Sequence, residues 1–152
     1  MRVALRDPML AISRVRGNNG TVRELSSIID FNSEYCAIFS RDALALGYSE
    51  AAYRPKQWQK IHPDRAPYIV DFRGMERSVL LTLNEVSLGR MAARNVDAVI
   101  AELDLPRMVP FDLILGRTFL KHFKISIDTA RGLLSINQCT KKPSTIKEDG
   151  AA

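Results

Sequence analysis

Hydrophobic and polar residues alternate in short runs along this chain, and each run is closed by a turn signal. Met9-Leu10-Ala11-Ile12-Ser13-Arg14-Val15 reads as a strand, Gly17-Asn18-Asn19-Gly20 as a tight turn, and Thr21 to Ile29 as the returning strand. That strand stops in a polar loop, Asp30-Phe31-Asn32-Ser33-Glu34, before Tyr35-Cys36-Ala37-Ile38-Phe39 resumes an apolar strand. Ser40 to Gly47 has the pattern of a short helix, with Ser40 placed to cap its start and Gly47 its end. Tyr48 to Pro67 holds three prolines, several charges and Trp58, and reads as an irregular excursion in which the tryptophan serves packing.

The second half repeats the theme. Tyr68–Phe72 and Arg77–Leu83 predict a hairpin with Arg73, Gly74 and Met75 at its tip. A turn is expected around Gly89 within Asn84–Met91, and another strand over Ala98–Leu103. Asp112-Leu113-Ile114-Leu115-Gly116 has the look of a buried strand closed by glycine. Arg117 to Phe123 follows with helical spacing that puts Phe119, Leu120 and Phe123 on one face. Ile125–Asp128 and Leu133–Ile136 make a last hairpin around Ala130-Arg131-Gly132. Residues 1–8 are an N-terminal segment ahead of this pattern, 9–138 carry it as one domain, and the polar stretch 139–152 is expected to be a disordered tail. Many short strands with frequent turns predict a mostly β, closed barrel with one short C-terminal helix.

Composition narrows the function classes. The chain has 152 residues, 46% hydrophobic and 26% charged, which suits one folded core and argues against general disorder. No apolar run approaches the roughly 20 residues of a membrane span, and charges stand near the start where a secretory leader needs apolar residues, so a cytoplasmic protein without membrane contact is expected. Cys36 and Cys139 lie far apart and are expected to be free thiols. The net charge of +5 comes from scattered lysines and arginines without interleaved aromatics, which gives nucleic-acid binding only weak support. His62 and His122 are isolated, no residue set has metal-ligand spacing, and Gly17–Gly20 lacks the lysine and helix of a phosphate loop, so no metal or other cofactor is expected.

Two features carry chemistry together: an apolar strand ending in Asp30-Phe31-Asn32-Ser33, and an apolar strand ending in Gly116-Arg117-Thr118-Phe119-Leu120. Their order, separation and intervening hairpin resemble the retropepsin-like aspartic proteases, from about Met9 to Ile136. The resemblance implies an acid-protease-like barrel with a flap hairpin at Arg73, Gly74 and Met75. It implies a homodimer in which Asp30 of each copy activates water to cleave an extended peptide or protein substrate. It implies a site loop of Phe31, Asn32 and Ser33, supported by Ile114, Leu115 and Gly116 and by an Arg117–Glu34 pair. Physically, such hydrolysis needs two carboxylates sharing one proton, and a chain with one aspartate at the matching place obtains the second from a two-fold mate.

The loop departs from the family's Asp-Thr/Ser-Gly. Phe31 cannot donate the hydroxyl hydrogen bond that stiffens the aspartate pair, and Asn32 stands where the family's glycine allows an unusual backbone. An alternative follows: a catalytically inactive dimer of the same fold that binds a peptide, a protein partner or RNA. Asp128-Thr129-Ala130 resembles an active-site triplet but opens the last hairpin and is expected to be structural; Asp71 and Asp112 are expected at strand edges.

Overall fold

The computed structural model describes residues 1–6, 8–55, 79–101 and 111–139, with only the backbone of Pro55. Trp58, His62, Asp71, the flap residues Arg73, Gly74 and Met75, and the tail 140–152 lie outside the described residues.

Six strands close a mixed barrel, and the chain forms one mostly β domain with short helices. The barrel strands are β2 (Leu10–Arg16), β3 (Val22–Ile29), β4 (Cys36–Phe39), β6 (Val79–Leu88), β7 (Met91–Ala101) and β8 (Leu113–Leu115). Around the ring the order is β2-β3-β8-β4-β7-β6, and β6 pairs back onto β2 through Val15 and Val86. A two-residue strand, β5 (Arg54–Pro55), extends the sheet beyond β6. Two pairings are parallel, β3 with β8 and β4 with β7; the other pairings of the ring are antiparallel. Alternation explains the closure: Ser13 and Val15, then Leu25, Ser27 and Ile29, point into the interior while their neighbours are more exposed.

The β6–β7 hairpin shows a phase change. Leu81 and Leu83 are buried, but so are Val86 and Leu88; across the ladder Met91 and Ala93 are buried, but so are Val96 and Ala98. The inward face switches parity at Asn84 on one strand and Asn95 on the other. Asn95 has φ 55°, the one non-glycine residue in the left-handed region among the described residues. The Tyr48 hydroxyl accepts the Asn84 N–H (2.9 Å) and donates to the Asn84 side-chain oxygen (3.0 Å), so the interruption leaves that donor satisfied. The turn expected around Gly89 is made by Gly89 and Arg90 alone, and Asn84 to Leu88 continue the strand.

Helix α1 (Ser40–Ala45) ends in a Schellman arrangement, with Gly47 at φ 86° donating to Leu44 C=O (2.9 Å) and Tyr48 N–H to Ala43 C=O (3.1 Å). Its N-cap is Phe39 with no side-chain cap, so Ser40 is the first helical residue and not the cap. Helix α2 (Arg117–Leu120) is shorter than predicted, because the chain re-enters strand at Phe123.

A second sheet runs β1 (Arg2–Ala4), β10 (Leu133–Gln138), β9 (Phe123–Asp128). Residues 2–4 are thus part of the fold and not a segment ahead of it. Val3 is buried opposite Leu134, and the Met1 ammonium and carbonyl both bond Ile136 (2.9 and 2.8 Å). Phe119, Leu120, Phe123, Leu134 and Ile136 pack this sheet and α2 into the same core as the barrel.

Candidate functional site

Asp30 sits where β3 leaves the barrel. Its N–H donates to Leu115 C=O (3.1 Å), continuing the parallel pairing of Ile29 with Leu115 by one step. The loop then folds back on the carboxylate. Oδ1 accepts the Asn32 N–H (2.9 Å) and Oδ2 accepts the Ser33 hydroxyl (2.6 Å), while Ser33 N–H reaches the Asp30 carbonyl (3.3 Å). Both carboxylate oxygens are held by local donors, one from Asn32 and one from Ser33. Ser33 is buried and Asp30 half-buried, so the carboxylate keeps one side toward solvent.

Phe31 is half-buried and packs against the main core of its own chain. Asn32 is exposed, and its φ is not positive, so the left-handed backbone expected at this position is absent and asparagine sits there without strain.

Gly116 lies directly beneath the loop. Its backbone is extended (φ −97°, ψ −168°), so conformation does not demand glycine; space does. A Cβ would overlap the Tyr35 carbonyl and come within 2.8 Å of the Ser33 carbonyl oxygen. Backbone bonds tie the two segments, Arg117 N–H to Ser33 C=O (2.8 Å) and Thr118 N–H to Glu34 C=O (3.1 Å). The expected Arg117–Glu34 side-chain pair does not form: both side chains are exposed, and these main-chain bonds do the joining.

Thr118 was not legible as a site residue. Its hydroxyl accepts the Cys36 N–H (3.0 Å), donates to the Asp97 carbonyl (2.6 Å), and touches Cys36 Sγ (3.4 Å), so it links α2, β4 and β7. The Gly116 N–H also points at Cys36 Sγ (3.3 Å). Burial pushes the Cys36 thiol up, and the hydrogen bonds from Thr118 and Gly116 only partly offset it. Beside this network Arg54 reaches Asp97 (2.8 Å) and Thr82 (2.7 Å). Burial, then the Glu34 and Asp97 carboxylates, raise the Tyr35 phenol above its ordinary value.

The sheet face opposite the core carries an apolar row next to Asp30. Register places Ile28 beside Ile114, Ile114 beside Ala37, Ala37 beside Val99, and Val99 beside Leu80. A pocket lined by Ala37, Phe39, Ala101, Phe111 and Ile114 continues the row. Ile114 and Leu115 therefore face opposite ways, Ile114 into this row and Leu115 into the core.

The remaining candidates are structural. Asp128 Oδ1 accepts the Arg131 N–H (3.1 Å) and closes the last hairpin. Asp112 N–H donates to Ser26 C=O (2.7 Å), and its carboxylate lies 3.9 Å from Arg41. Cys36 and Cys139 are both free thiols. Among the described residues no three metal-ligating side chains gather, and no helix is long and apolar enough to cross a membrane.

No protein-family model and no curated protein matches the chain. Solved structures do. A retropepsin-like aspartic protease from Rickettsia conorii superposes with a TM-score of 0.59 at 21% identity, covering 90% of this chain and 88% of that one. The retroviral protease-like domain of Ddi1 from Leishmania major aligns with a TM-score of 0.47 at 15% identity over 90% of this chain and 97% of that one. The fold of this chain is retropepsin-like.

Proposed function

We propose that this chain is an aspartic endopeptidase that works as a two-fold homodimer, each copy contributing Asp30 to one shared site. The observation that carries the reading is the seating of the Asp30 carboxylate: both oxygens are bound by the Asn32 N–H and the Ser33 hydroxyl, in a loop fixed from below by Gly116. In this reading two such carboxylates share one proton, because two like charges a few ångström apart do not both ionise readily. The ionised one takes a proton from water as the water attacks the scissile carbonyl. The protonated one donates to the carbonyl oxygen; on collapse the proton taken from water passes to the leaving amine, and the diol returns its proton to the other carboxylate.

In this reading an extended peptide lies across the paired Asp30 loops. Asp30→Asn is the test. With the fold intact by circular dichroism, this variant loses cleavage of a mixed peptide pool that the wild type cleaves; cleavage at the wild-type level by the variant overturns the proposal.

One observation favours a second reading. Phe31 packs on its own core and brings no hydroxyl to a partner loop, so the same dimer could hold an extended peptide or RNA without hydrolysing it. Saturable peptide binding by both wild type and Asp30→Asn, with no turnover by either, would select that reading. Binding to single-stranded RNA that falls steeply with salt would select its nucleic-acid form.

A further inference from the structure

The turn between β2 and β3 carries chemistry that the proposed site does not use. It holds the pair Asn19-Gly20, and Asn19 alone among the asparagines of the chain precedes a glycine. An asparagine side chain is a carboxamide, and the backbone nitrogen of the next residue can close on it to form a cyclic imide. Glycine shields that nitrogen least, because it has no Cβ. Asn19 and Gly20 are both exposed, and nothing stands within 4 Å of where a Gly20 Cβ would be. The turn also presents the two reactants to each other. Asn19 Oδ1 accepts the Thr21 N–H (3.0 Å), which bends the carboxamide forward over the Gly20 peptide. The same donor polarises the carboxamide carbonyl and meets the negative charge that develops on its oxygen when Cγ is attacked. Gly20 N–H reaches Gly17 C=O at 3.2 Å, the long end of the hydrogen-bond range, so little is lost when its proton leaves.

This turn is docked on the end of helix α1. Asn18 N–H donates to Leu46 C=O (3.0 Å), and a Cβ on Gly17 would overlap that carbonyl. A Cβ on Gly47 would lie 2.6 Å from Asn19 Cγ, so the carboxamide covers the glycine that ends the helix. A change at Asn19 is therefore felt by the helix as well as by the hairpin.

We propose that Asn19 is a site of spontaneous deamidation in the folded protein, and that its conversion loosens the join between this turn and α1. The Gly20 amide nitrogen, once its proton has passed to hydroxide, attacks Asn19 Cγ. A new C–N bond forms, the Cγ–Nδ2 bond breaks, and ammonia leaves with a proton from water. One water then opens the cyclic imide. Opening at Cγ gives aspartate on the ordinary backbone; opening at the main-chain carbonyl gives isoaspartate, with the chain routed through the side chain. Either product sets a carboxylate beside the carbonyl end of α1, where negative charge is unfavourable. Isoaspartate also adds a carbon to the main chain, which breaks the Gly17 N–H to Thr21 C=O bond (2.7 Å) that closes the hairpin.

The test is to age the full chain in heavy-oxygen water at neutral and mildly alkaline pH, then digest it with trypsin. The peptide of residues 17–23, released by cleavage after Arg16 and Arg23, is sequenced by mass spectrometry with electron-transfer fragmentation. Heavy oxygen marks carboxylates formed during ageing and not during digestion. The expected result is label at position 19 as a mixture of aspartate and isoaspartate, gained faster at the higher pH and as fast as in the free synthetic peptide 17–23, with Asn18 unlabelled. A folded chain that keeps its Asn19 amide while the free peptide converts overturns the proposal. Thermal unfolding of the aged protein reads the join to α1. The melting temperature of the wild type should fall as the converted fraction grows, while Asn19→Gln, whose longer side chain closes a ring far more slowly, holds its fresh value. Labelled wild type with an unchanged melting temperature, or Asn19→Gln that drifts as fast as wild type, overturns the coupling.

Discussion

Gly116→Ala is the sharpest probe of how the fold holds Asp30. The added methyl meets only backbone: the Tyr35 carbonyl, and the Ser33 carbonyl oxygen at 2.8 Å. No flexible side chain can swing away, so one of the two segments must move. Overpacking of this kind costs about 1–3 kcal/mol. The displaced segment also carries the Arg117 to Ser33 and Thr118 to Glu34 bonds, each worth about 1 kcal/mol net. The sum, about 3–5 kcal/mol, is a large share of the roughly 5–15 kcal/mol that stabilises a domain.

Gly132→Ala is the matched control. Gly132 has φ 65° with nothing within 4 Å of where the new methyl would stand, so only backbone strain of about 1–2 kcal/mol applies. Urea denaturation of both variants, with the m-value checked for constancy, reads the difference. Gly116→Ala should be the worse by about 2 kcal/mol, and because Ser33 moves with it, cleavage should fall more than stability alone accounts for. A Gly116→Ala protein as stable as Gly132→Ala would refute the close approach and the reasoning built on it.

Ser33→Ala removes the 2.6 Å hydrogen bond to Asp30 and should lower kcat/KM at least about tenfold, with little change in melting temperature; unchanged kcat/KM would show that Ser33 does not position the carboxylate. Thr118→Val keeps the shape but strands the Cys36 N–H and the Asp97 carbonyl, costing about 2–4 kcal/mol in denaturant, whereas Thr118→Ser should recover most of it. Cys36 is buried with its thiol pushed up and Cys139 is exposed, so a thiol reagent at mild alkaline pH should titrate one group per native chain and two after denaturation. Tyr35 and Tyr48 both lie above the ordinary 10.0, chiefly through burial. The unfolded chain therefore loses these protons first, and stability should drop as pH rises past that value; the Tyr35→Phe/Tyr48→Phe double variant should show a flatter alkaline limb in pH-dependent denaturation.

The parts of the site legible in the sequence are those written in local pattern. β3 ends at Asp30 because the apolar alternation stops there, and Gly116 closes an apolar strand; each is visible without knowing its neighbour. What tertiary packing decides was hidden. Asn84-Glu85 and Arg94-Asn95 break the alternation of β6 and β7 and look like turns, yet they sit opposite each other and shift phase together, with Tyr48 supplying the missing partner. Arg2-Val3-Ala4 buries only Val3 and gains its strand from pairing with β10. Thr118 resembles any threonine in a helix's first turn, and only the parallel pairing of β4 with β7 brings Asp97 and Cys36 to its hydroxyl. Ser40 has the chemistry of a cap, but β4 runs straight into the helix and Phe39 takes that place.

In the proposed dimer, one active site needs Asp30 from two copies. Titrating a fixed amount of wild-type chain with increasing Asp30→Asn chain, and following cleavage of one peptide, tests it directly. Activity should fall toward zero as mixed dimers, each with a single Asp30, replace the wild-type pair. Activity that stays constant at any excess of Asp30→Asn chain would mean that each chain acts alone, and would contradict it.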